Sequence, residues 1–360
     1  MLAVLSLLGS ACSDDDASGD RGQQAQGGDG GGSLLEEVRD RGTLNCGVND
    51  AVPGFGVVDD EGNYSGFDIE FCRVVAAAVL GDADAVEFTP LDAETRFTAL
   101  QSGEIDVLIR NTTFTAQRDG AEGARFLQTT FYDGQGMMVR ADSGFRSIDD
   151  MDDTNICVLA GTTTELNLAT RFGDAGLAYE PLTFDDADAI QEAFINGQCD
   201  GWTSDLSQLA GVRSAFPESE GGPEALTIFD EAFSKEPLGP VVRDGDDDWA
   251  DAVNWAVIST MLAEEFDITQ DNLDQMLESD NADIRRLLGQ PVEAEEGAEP
   301  EPFDPGVGLE PTFVVDVIEQ VGNYGEIYDR TVGADSDLQL ERGLNAQWQD
   351  GGLLYAPPYR

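Results

Sequence analysis

Short apolar runs and amphipathic stretches alternate along this chain, and the alternation occurs twice. In the first half, apolar runs predict strands at 43–48, 86–91 and 105–109, and amphipathic stretches predict helices at 67–80 and 93–102. In the second, strands are predicted at 155–160, 179–183 and 199–203, with helices at 164–171 and 187–195. A strand–helix order with short connections favours a mainly parallel sheet covered by helices. The fold class is therefore predicted to be α/β, with two units.

Two short extended runs predict how the units are joined. The runs at 136–140 and 240–243 are expected to cross between the units as a two-stranded hinge, and a helix at 248–264 then returns to the first unit. The predicted boundaries are lobe 1 at 41–139 plus 244–290, and lobe 2 at 140–243.

The remainder of the chain differs in composition. Residues 291–305 are acidic, contain proline and have no periodicity, so they are predicted to be a disordered insertion. Residues 306–360 are predicted to form a helical C-terminal appendage, with helices at 312–320 and 338–348.

The acid–base balance excludes several classes of function. The chain has 72 Asp and Glu residues against 19 Lys and Arg, no histidine, and a formal net charge of −53 at pH 7. Without imidazole there is no Ser/His/Asp or Cys/His catalytic pair and no histidine-bound zinc, and we expect neither metal nor cofactor. Nucleic acid and anionic membrane surfaces are bound through Lys and Arg, so this charge repels them. Because the acids are spread out, they favour a surface hydrated in high salt over a clustered cation store.

The first 40 residues are predicted to be a leader and a tether. Within 1–12, an apolar run is followed by small residues and Cys12, which resembles the lipobox in which a signal peptidase cuts before a lipid-bearing cysteine. No Lys or Arg precedes the run, so the start codon is expected upstream of Met1. A chance cysteine is the alternative. Residues 13–40 begin with a stretch rich in Gly, Asp, Ser and Gln and are predicted to be a flexible tether.

The four other cysteines fit an oxidising compartment. Four cysteines allow three pairings, and proximity along the chain favours Cys46 with Cys72 and Cys157 with Cys199. Each bridge would contribute about 3–4 kcal/mol in the chain-entropy model. Four buried free thiols are the alternative.

Ligands of open α/β sheets bind outside the carboxyl ends of the strands, so the residues that follow the strands are candidates for a site. After the strand at 105–109, Thr115 can cap a short helix, and Arg118 offers a two-pronged donor that matches a carboxylate. A helix cap with a surface arginine is the alternative.

The second unit has candidates in the same places. Gly161, Thr162 and Glu165 follow its first strand, where a glycine lets the backbone approach an anion at a helix N-terminus. Asp205 follows the strand at 199–203 and either caps the next helix or faces a ligand ammonium.

Nine motifs spread over 66–358 are informative as a set. They are GFDI at 66–69, RFTALQSGE at 96–104, RNTT at 110–113, YDGQG at 132–136, AGTTTELNL at 160–168, SKEPLGP at 234–240, DIRRLLG at 283–289, GNYGE at 322–326 and GGLLYAPP at 351–358. Together they resemble the bacterial solute-binding proteins of polar amino-acid ABC transporters, in particular the general L-amino-acid-binding branch. The resemblance runs from about Gly42 to Arg360.

That resemblance implies a periplasmic-binding-protein-like (type II) fold. Two lobes close about the hinge on an L-amino acid, and a monomer that is not an enzyme delivers it to a membrane permease. The α-carboxylate contacts would fall on Arg118 and on the backbone and side chain of Thr113 and Thr163, with Thr162 beside them. The ammonium contacts would fall on Asp205 and near Asn111.

The residues agree with this assignment. A fixed arginine and a fixed aspartate on facing lobes would hold the part common to all amino acids, and closure would pair both buried charges. In the basic and glutamine-binding branches an aromatic residue in the loop after the first strand packs on the ligand side chain. Here the loop at 49–53 has none, which agrees with a broad range. Phe55, Phe114 and Tyr132 either line the pocket or pack in a core.

Two rival functions stay open. Some dehydratases and peptidoglycan lyases resemble these binders, but without histidine only Asp, Glu, Lys235 or Tyr could serve as acid and base. An amino-acid sensor for a signalling partner is the other rival.

Overall fold

A computed structural model of the chain describes residues 33–292 and 301–360. Cys12 and most of the predicted leader and tether lie outside the described residues. The strands are β1 (Leu44–Val48), β2 (Ala51–Val52), β3 (Gly56–Val58), β4 (Tyr64–Ser65), β5 (Val86–Pro90), β6 (Val107–Leu108), β7 (Ala124–Phe126), β8 (Phe131–Asp133), β9 (Gln135–Arg140), β10 (Thr154–Leu159), β11 (Tyr179–Phe184), β12 (Gly201–Asp205), β13 (Leu226–Ile228), β14 (Glu236–Leu238) and β15 (Val241–Arg243). The helices are α1 (Leu34–Arg41), α2 (Phe67–Leu80), α3 (Arg96–Ser102), α4 (Ala116–Ala121), α5 (Thr163–Ala175), α6 (Ala187–Ile195), α7 (Leu206–Ser214), α8 (Asp247–Glu265), α9 (Leu273–Leu277), α10 (Ala282–Leu287), α11 (Phe313–Gln320) and α12 (Tyr324–Thr331). Within these ranges no helix combines the length and the apolar character needed to cross a membrane.

Two five-stranded sheets form the centres of two lobes. Lobe 1 has the order β5-β1-β6-β15-β7, and lobe 2 has the order β11-β10-β12-β9-β13. In each sheet the first three strands are parallel to one another, the fourth is antiparallel to the third, and the fifth is antiparallel to the fourth. Helix α2 forms over the predicted range and packs on the lobe 1 sheet, because its sequence is apolar on most faces. The helix is capped at its C-terminal end by Gly81, whose φ is +73°. The predicted two-lobed α/β architecture is confirmed.

The hinge lies about five residues earlier in the chain than predicted at both crossings. Strands β8 and β14 pair antiparallel as a separate two-stranded sheet and connect the lobes. The run at 136–140 instead belongs to β9 inside the lobe 2 sheet, and Val241–Arg243 belongs to the lobe 1 sheet. Lobe 2 therefore spans 134–235, and the predicted 140–243 is wrong at both ends. An apolar extended run can form its backbone hydrogen bonds equally well within a lobe sheet or in a pair of strands that crosses between the lobes. Periodicity alone therefore does not distinguish a sheet strand from a crossing strand.

The last residues of the predicted tether form a helix. Helix α1 buries Leu34, Leu35 and Val38 in the lobe 1 core, and the backbone N–H of Leu34 donates to Asp246 Oδ2 at 2.7 Å. The predicted tether is therefore wrong from residue 34 onward. The Gly- and Asp-rich composition of the segment led to the tether prediction, although its last residues carry an apolar helical stripe that the neighbouring core covers.

The C-terminal segment is part of the lobe 1 core and is only partly helical. Helix α11 matches the prediction to within one residue, and α12 was not predicted. The predicted helix at 338–348 is irregular apart from a 3₁₀ turn at Gly343–Asn345 and the start of another at Trp348–Asp350. Both C-terminal helices pack with α2 and α8 in one hydrophobic cluster.

The described ends of the predicted insertion are ordered. Val292 and Glu301 form a backbone bridge, and the Phe303 ring lies 5.6 Å from that of Tyr359. The prediction of disorder is therefore wrong for these residues, while 293–300 lie outside the described part of the chain.

Each lobe contains one disulfide. Cys46 in β1 joins Cys72 in α2, and Cys157 in β10 joins Cys199 just before β12. These are the two pairings that proximity along the chain favours. Each bridge ties a helical layer or a loop to the strand beside it within a single lobe, so neither restrains the hinge.

Candidate functional site

A cavity of about 60 Å³ lies between the lobes at the carboxyl ends of the parallel strands. Its wall contains all six residues predicted for ligand binding, which are Asn111, Thr113 and Arg118 from lobe 1 and Thr162, Thr163 and Asp205 from lobe 2. The lobes touch here, since the hydroxyl oxygens of Thr113 and Thr163 are 3.3 Å apart. Residues that follow the strands of both sheets thus meet at one cavity, as expected for ligand sites beyond the carboxyl ends of strands.

Arg118 is a buried cation of the lobe 1 wall. Thr115 caps α4 by accepting the backbone N–H of Arg118 at 3.2 Å, and the Arg118 Nη1 donates to the Thr113 carbonyl at 2.9 Å. Burial lowers the pKa of Arg118, while Glu236 and Asp205 act in the opposite direction. The Thr113 contact uses one of its five N–H donors, and the fork geometry of the others suits a carboxylate.

The start of α5 forms the facing wall. Thr162 caps this helix by accepting the Glu165 N–H at 3.2 Å, and its own hydroxyl donates to the Leu159 carbonyl at 2.6 Å. The Glu165 carboxylate accepts the N–H of Gly161 at 3.1 Å, which completes the cap. Backbone N–H groups at the start of this 13-residue helix are therefore the donors that an anion would meet.

The Thr163 hydroxyl is already committed to the hinge. It donates to Glu236 Oε2 at 2.8 Å, and a hydroxyl has only one hydrogen, so Thr113 must be the donor in the contact between the two threonines. Glu236 also accepts from Asn167 Nδ2 at 2.8 Å. The donor that Thr163 can still offer to a ligand carboxylate is therefore its backbone N–H.

Asp205 is the buried acid of the lobe 2 wall. It ends β12 and precedes α7, but its side chain makes no capping hydrogen bond. Its Oδ2 instead accepts from Asn111 Nδ2 at 3.3 Å across the cleft. Burial, together with Asp133 and Glu236, raises the pKa of Asp205 well above its usual value, against the smaller effects of Arg118 and Arg96. An ammonium group placed here would reverse that shift.

Asn111 is held in an unusual conformation. Its φ is +30°, which is rare for a residue other than glycine. Its backbone N–H donates to Asp68 Oδ2 at 2.7 Å, and its Oδ1 accepts from Asn49 Nδ2 at 2.7 Å. These two bonds leave the Asn111 Nδ2 directed towards Asp205. Backbone strain that is held in place at a cleft is typical of a functional position.

Asp68 links this conformation to pH. Burial raises the pKa of Asp68 to about 7, against the opposing effects of the Asn111 hydrogen bond and Arg110. Because the folded pKa lies above that of the unfolded chain, Asp68 stabilises the fold at low pH, and this contribution is lost as pH rises to about 7.

We expect the stability of the Asp68→Asn variant, relative to that of the wild type, to be greater at about pH 8 than at about pH 5, because only the wild type loses this contribution as pH rises. Urea unfolding at the two pH values measures the difference. The same difference at both pH values would contradict this, and Asp174→Asn on the surface is the control.

Among the wall residues that were not predicted from the sequence, six are charged. They are Asp50, Asp92, Arg96, Arg110, Asp185 and Asp186. Asp92 and Arg96 follow β5, so the strand-end rule applied to that strand would have found them.

The three aromatic candidates do not border this cavity. Phe55 and Tyr132 pack in or against the lobe 1 core, and Phe114 stacks on Phe126 with ring centroids 4.8 Å apart. For Phe55 and Tyr132 the core-packing interpretation was therefore the correct one.

Comparisons with known proteins agree with the two-lobed fold. The family model of bacterial extracellular solute-binding proteins, family 3, matches residues 44–272. The general L-amino acid-binding periplasmic protein AapJ of Rhizobium johnstonii is 46% identical over 328 residues, covering 91% of this chain and 93% of that protein. The glutamate/glutamine/aspartate/asparagine-binding protein BztA of Rhodobacter capsulatus is 45% identical over 329 residues, covering 91% and 94%.

A solved structure is also similar over nearly the whole chain. It is an ABC transporter periplasmic binding protein from Brucella ovis with glutathione bound, which is 45% identical, has a TM-score of 0.85 and is matched over 92% of this chain and 100% of that one. These relatives are binding proteins, and the motif-based expectation of the family is confirmed. The chain belongs to the bacterial extracellular solute-binding proteins of family 3.

Proposed function

We propose that this protein captures L-amino acids of many kinds between its lobes and delivers them to an ABC transporter permease. One observation carries the proposal. Arg118 of lobe 1 and Asp205 of lobe 2 line the same cavity, and among the described residues neither has an oppositely charged side chain within 4.0 Å. A free amino acid has one carboxylate, which suits Arg118, and one ammonium, which suits Asp205. Neither contact depends on the side chain of the amino acid.

Binding of such a zwitterion would favour the closed arrangement of the lobes. Closure buries Arg118 and Asp205, and buried charges are costly unless they are paired. A ligand that pairs both therefore binds the closed form more tightly than the open form, which is the condition for a ligand-driven shift at the β8/β14 hinge. The permease would then be presented with a closed, loaded protein.

A small peptide with a free α-amino and α-carboxyl group is a second candidate ligand. A groove of about 510 Å³ lies next to the cavity and shares the wall residues Arg118, Thr162 and Thr163 with it. Glutathione ends in a γ-linked glutamate that carries both groups, and it is bound in the Brucella ovis structure. The groove would accept the part of such a ligand that a 60 Å³ cavity does not hold.

We further propose that the protein is a monomer outside the cytoplasm, tethered by lipid on Cys12, and has no enzymatic activity. Two disulfides, the family and the apolar run before Cys12 support this location. The acidic surface would keep it hydrated in high salt and away from nucleic acid. A Cys12→Ser variant that stayed in the membrane fraction would contradict the anchor.

A thermal-shift screen tests the main proposal. The ligands are the twenty L-amino acids and glutathione, in salt from low to molar concentration. A ligand at about 100 times its dissociation constant should stabilise the fold by about 2.7 kcal/mol. If no ligand raises the melting temperature at any salt concentration, the proposal fails. Release of an altered product from any ligand would instead favour an enzyme of the dehydratase or lyase type.

A further inference from the structure

Gly211 is an unexpected residue in the middle of a helix. It lies buried in α7 of lobe 2, and its carbonyl accepts the N–H of Ala215 at 3.2 Å, as in any helix interior. Glycine is one of the least favourable residues at such a position, because it loses the most backbone freedom on folding. The helix itself therefore gives no reason for a glycine here.

The reason lies across the cleft, in lobe 1. A Cβ atom at position 211 would lie 2.6 Å from the carbonyl oxygen of Pro53, 3.3 Å from its carbonyl carbon and 3.2 Å from its Cβ. Heavy atoms in van der Waals contact lie about 3.5 Å apart, so the first of these distances is a clash. Gly211 thus lets α7 approach the lobe 1 backbone more closely than any residue with a side chain would.

The segment around Pro53 is held in place on both sides. The N–H of Phe55 donates to the Val52 carbonyl at 3.0 Å, and the N–H of Phe67 donates to the Gly54 carbonyl at 2.8 Å. The proline ring fixes its own φ. Because the blocking atom is a backbone oxygen, no side-chain rotation would remove the clash. A side chain at position 211 would instead displace α7, and lobe 2 with it, away from lobe 1.

Helix α7 also positions the buried acid of the cleft. Asp205 immediately precedes this helix and lies about 9 Å along it from Gly211, at the usual rise per residue. Its Oδ2 accepts from Asn111 Nδ2 of lobe 1 at 3.3 Å. A displacement of a few tenths of an ångström would take this bond beyond hydrogen-bond range. Gly211 thus affects the site through Asp205, although it does not border the cavity itself.

A second glycine of lobe 2 makes a similar approach to lobe 1. Gly161 lies just before α5, and a Cβ atom there would be 2.9 Å from Glu94 Cγ and 3.5 Å from Glu94 Cα. Two separate segments of lobe 2 thus meet lobe 1 through a glycine. The φ of Gly161 is +68°, which strains other residues regardless of the space available, so Gly211 is the position that can be substituted cleanly.

We propose that Gly211 determines how completely the lobes close, because the missing side chain lets α7 reach Pro53, and that the affinity for every amino-acid ligand depends on this contact. The inference rests on the proposed function, since it assumes that the lobes open and close around a ligand. The contact joins the two lobes, so it belongs to the closed form. A side chain at position 211 raises the free energy of that form and leaves the open form unchanged. Binding is then weakened by the same factor for each ligand.

The test is calorimetry of the wild type and of Gly211→Ala with L-glutamate, L-alanine and L-arginine. We expect Gly211→Ala to weaken all three about 30-fold, which is the size of an overpacking penalty expressed as affinity. Gly211→Leu should weaken them at least about tenfold further. The melting temperature of the ligand-free Gly211→Ala protein should equal that of the wild type or exceed it by about 2 °C, because alanine favours the helix and the open form has room.

Gly173→Ala is the matched control. Gly173 lies in helix α5 of the same lobe, is exposed, and a Cβ atom there would meet no atom of the described residues within 4 Å. This variant should gain the same helix stability and should bind all three ligands as the wild type does.

Wild-type affinity in Gly211→Ala would overturn the inference. A loss confined to one ligand would overturn it too, because a contact between the lobes does not distinguish ligand side chains. A lower melting temperature of the ligand-free variant would also overturn it, since the clash would then lie in the fold of the open form.

The two proposals fail in different ways. If the wild type binds no amino acid, the proposed function fails and this inference fails with it. If the wild type binds all three ligands and Gly211→Ala binds them equally well, only this inference fails.

Discussion

Replacing Arg118 with alanine is expected to weaken the binding of every L-amino acid about 1,000-fold while the protein still folds. The change leaves the ligand's α-carboxylate in a desolvated cleft without its two-pronged donor. Removing one partner of a buried charge pair costs about 3–5 kcal/mol, which corresponds to this factor. The substitution suits helix α4, and its cap at Thr115 stays, because that bond uses the backbone N–H. Isothermal calorimetry measures the affinity.

Two further variants separate the charge from the geometry. Arg118→Lys keeps the charge but loses the fork, so it should recover only part of the affinity. Arg125→Ala, on the surface of lobe 1, should bind as the wild type does. Arg118 also donates to the Thr113 carbonyl, so near-ultraviolet circular dichroism should accompany each titration to verify the fold. Wild-type affinity in Arg118→Ala would overturn the assignment of the carboxylate site.

Replacing Asp205 with alanine is expected to have an effect of the same size through the other end of the ligand. Asp205 is 5% exposed and lies opposite Arg118, so the ammonium of a bound amino acid would lose its counter-charge in a dry site. Asp205→Asn keeps the shape of the side chain without its charge and should bind amino acids nearly as weakly as Asp205→Ala. Asp174→Ala, on the exposed end of α5, is the matched control and should leave the affinity unchanged. A tight complex with Asp205→Asn would show that charge is not needed.

The pH dependence of binding gives this prediction a second readout. Burial and two neighbouring acids raise the pKa of Asp205, and an ammonium group pairs only with the ionised form. Binding should therefore release a proton where Asp205 is protonated in the free protein, and affinity should fall as pH is lowered through that range. Calorimetry in buffers of different ionisation enthalpy measures the released protons. Release that persists in Asp205→Asn would assign it to another group, with Asp133 in the same acid cluster the first to examine.

Much of the site could be predicted because its parts are local in the chain. Arg118, Thr162 and Asp205 were found as polar residues that follow predicted strands. Parallel strands in one sheet bring such residues to one edge without knowledge of distant contacts. Helix α2 was predicted to the residue because its apolar pattern and its terminal Gly81 are both readable locally.

Other features depend on contacts between distant residues. The Thr163 hydroxyl points to Glu236, 73 positions away, and nothing near Thr163 indicates that. Arg96 looks like an ordinary first residue of a helix until the cavity shows that it is buried without a partner. The same holds for α1, whose short apolar stripe became a helix because the lobe 1 core covers it.

The amino-acid sequence by itself determined the α/β class, the two units, the export-type cysteine pattern and the candidate residues for a carboxylate and an ammonium contact, Arg118 and Asp205. These follow from periodicity, composition and position after a strand, which are properties of short segments. Tertiary structure decided where the chain crosses between the lobes, how the hydroxyl groups are oriented and which arginine has no partner. Those properties depend on hydrogen bonds and burial between segments such as Asn111 and Asp205, which are 94 positions apart and adjacent only in the folded protein.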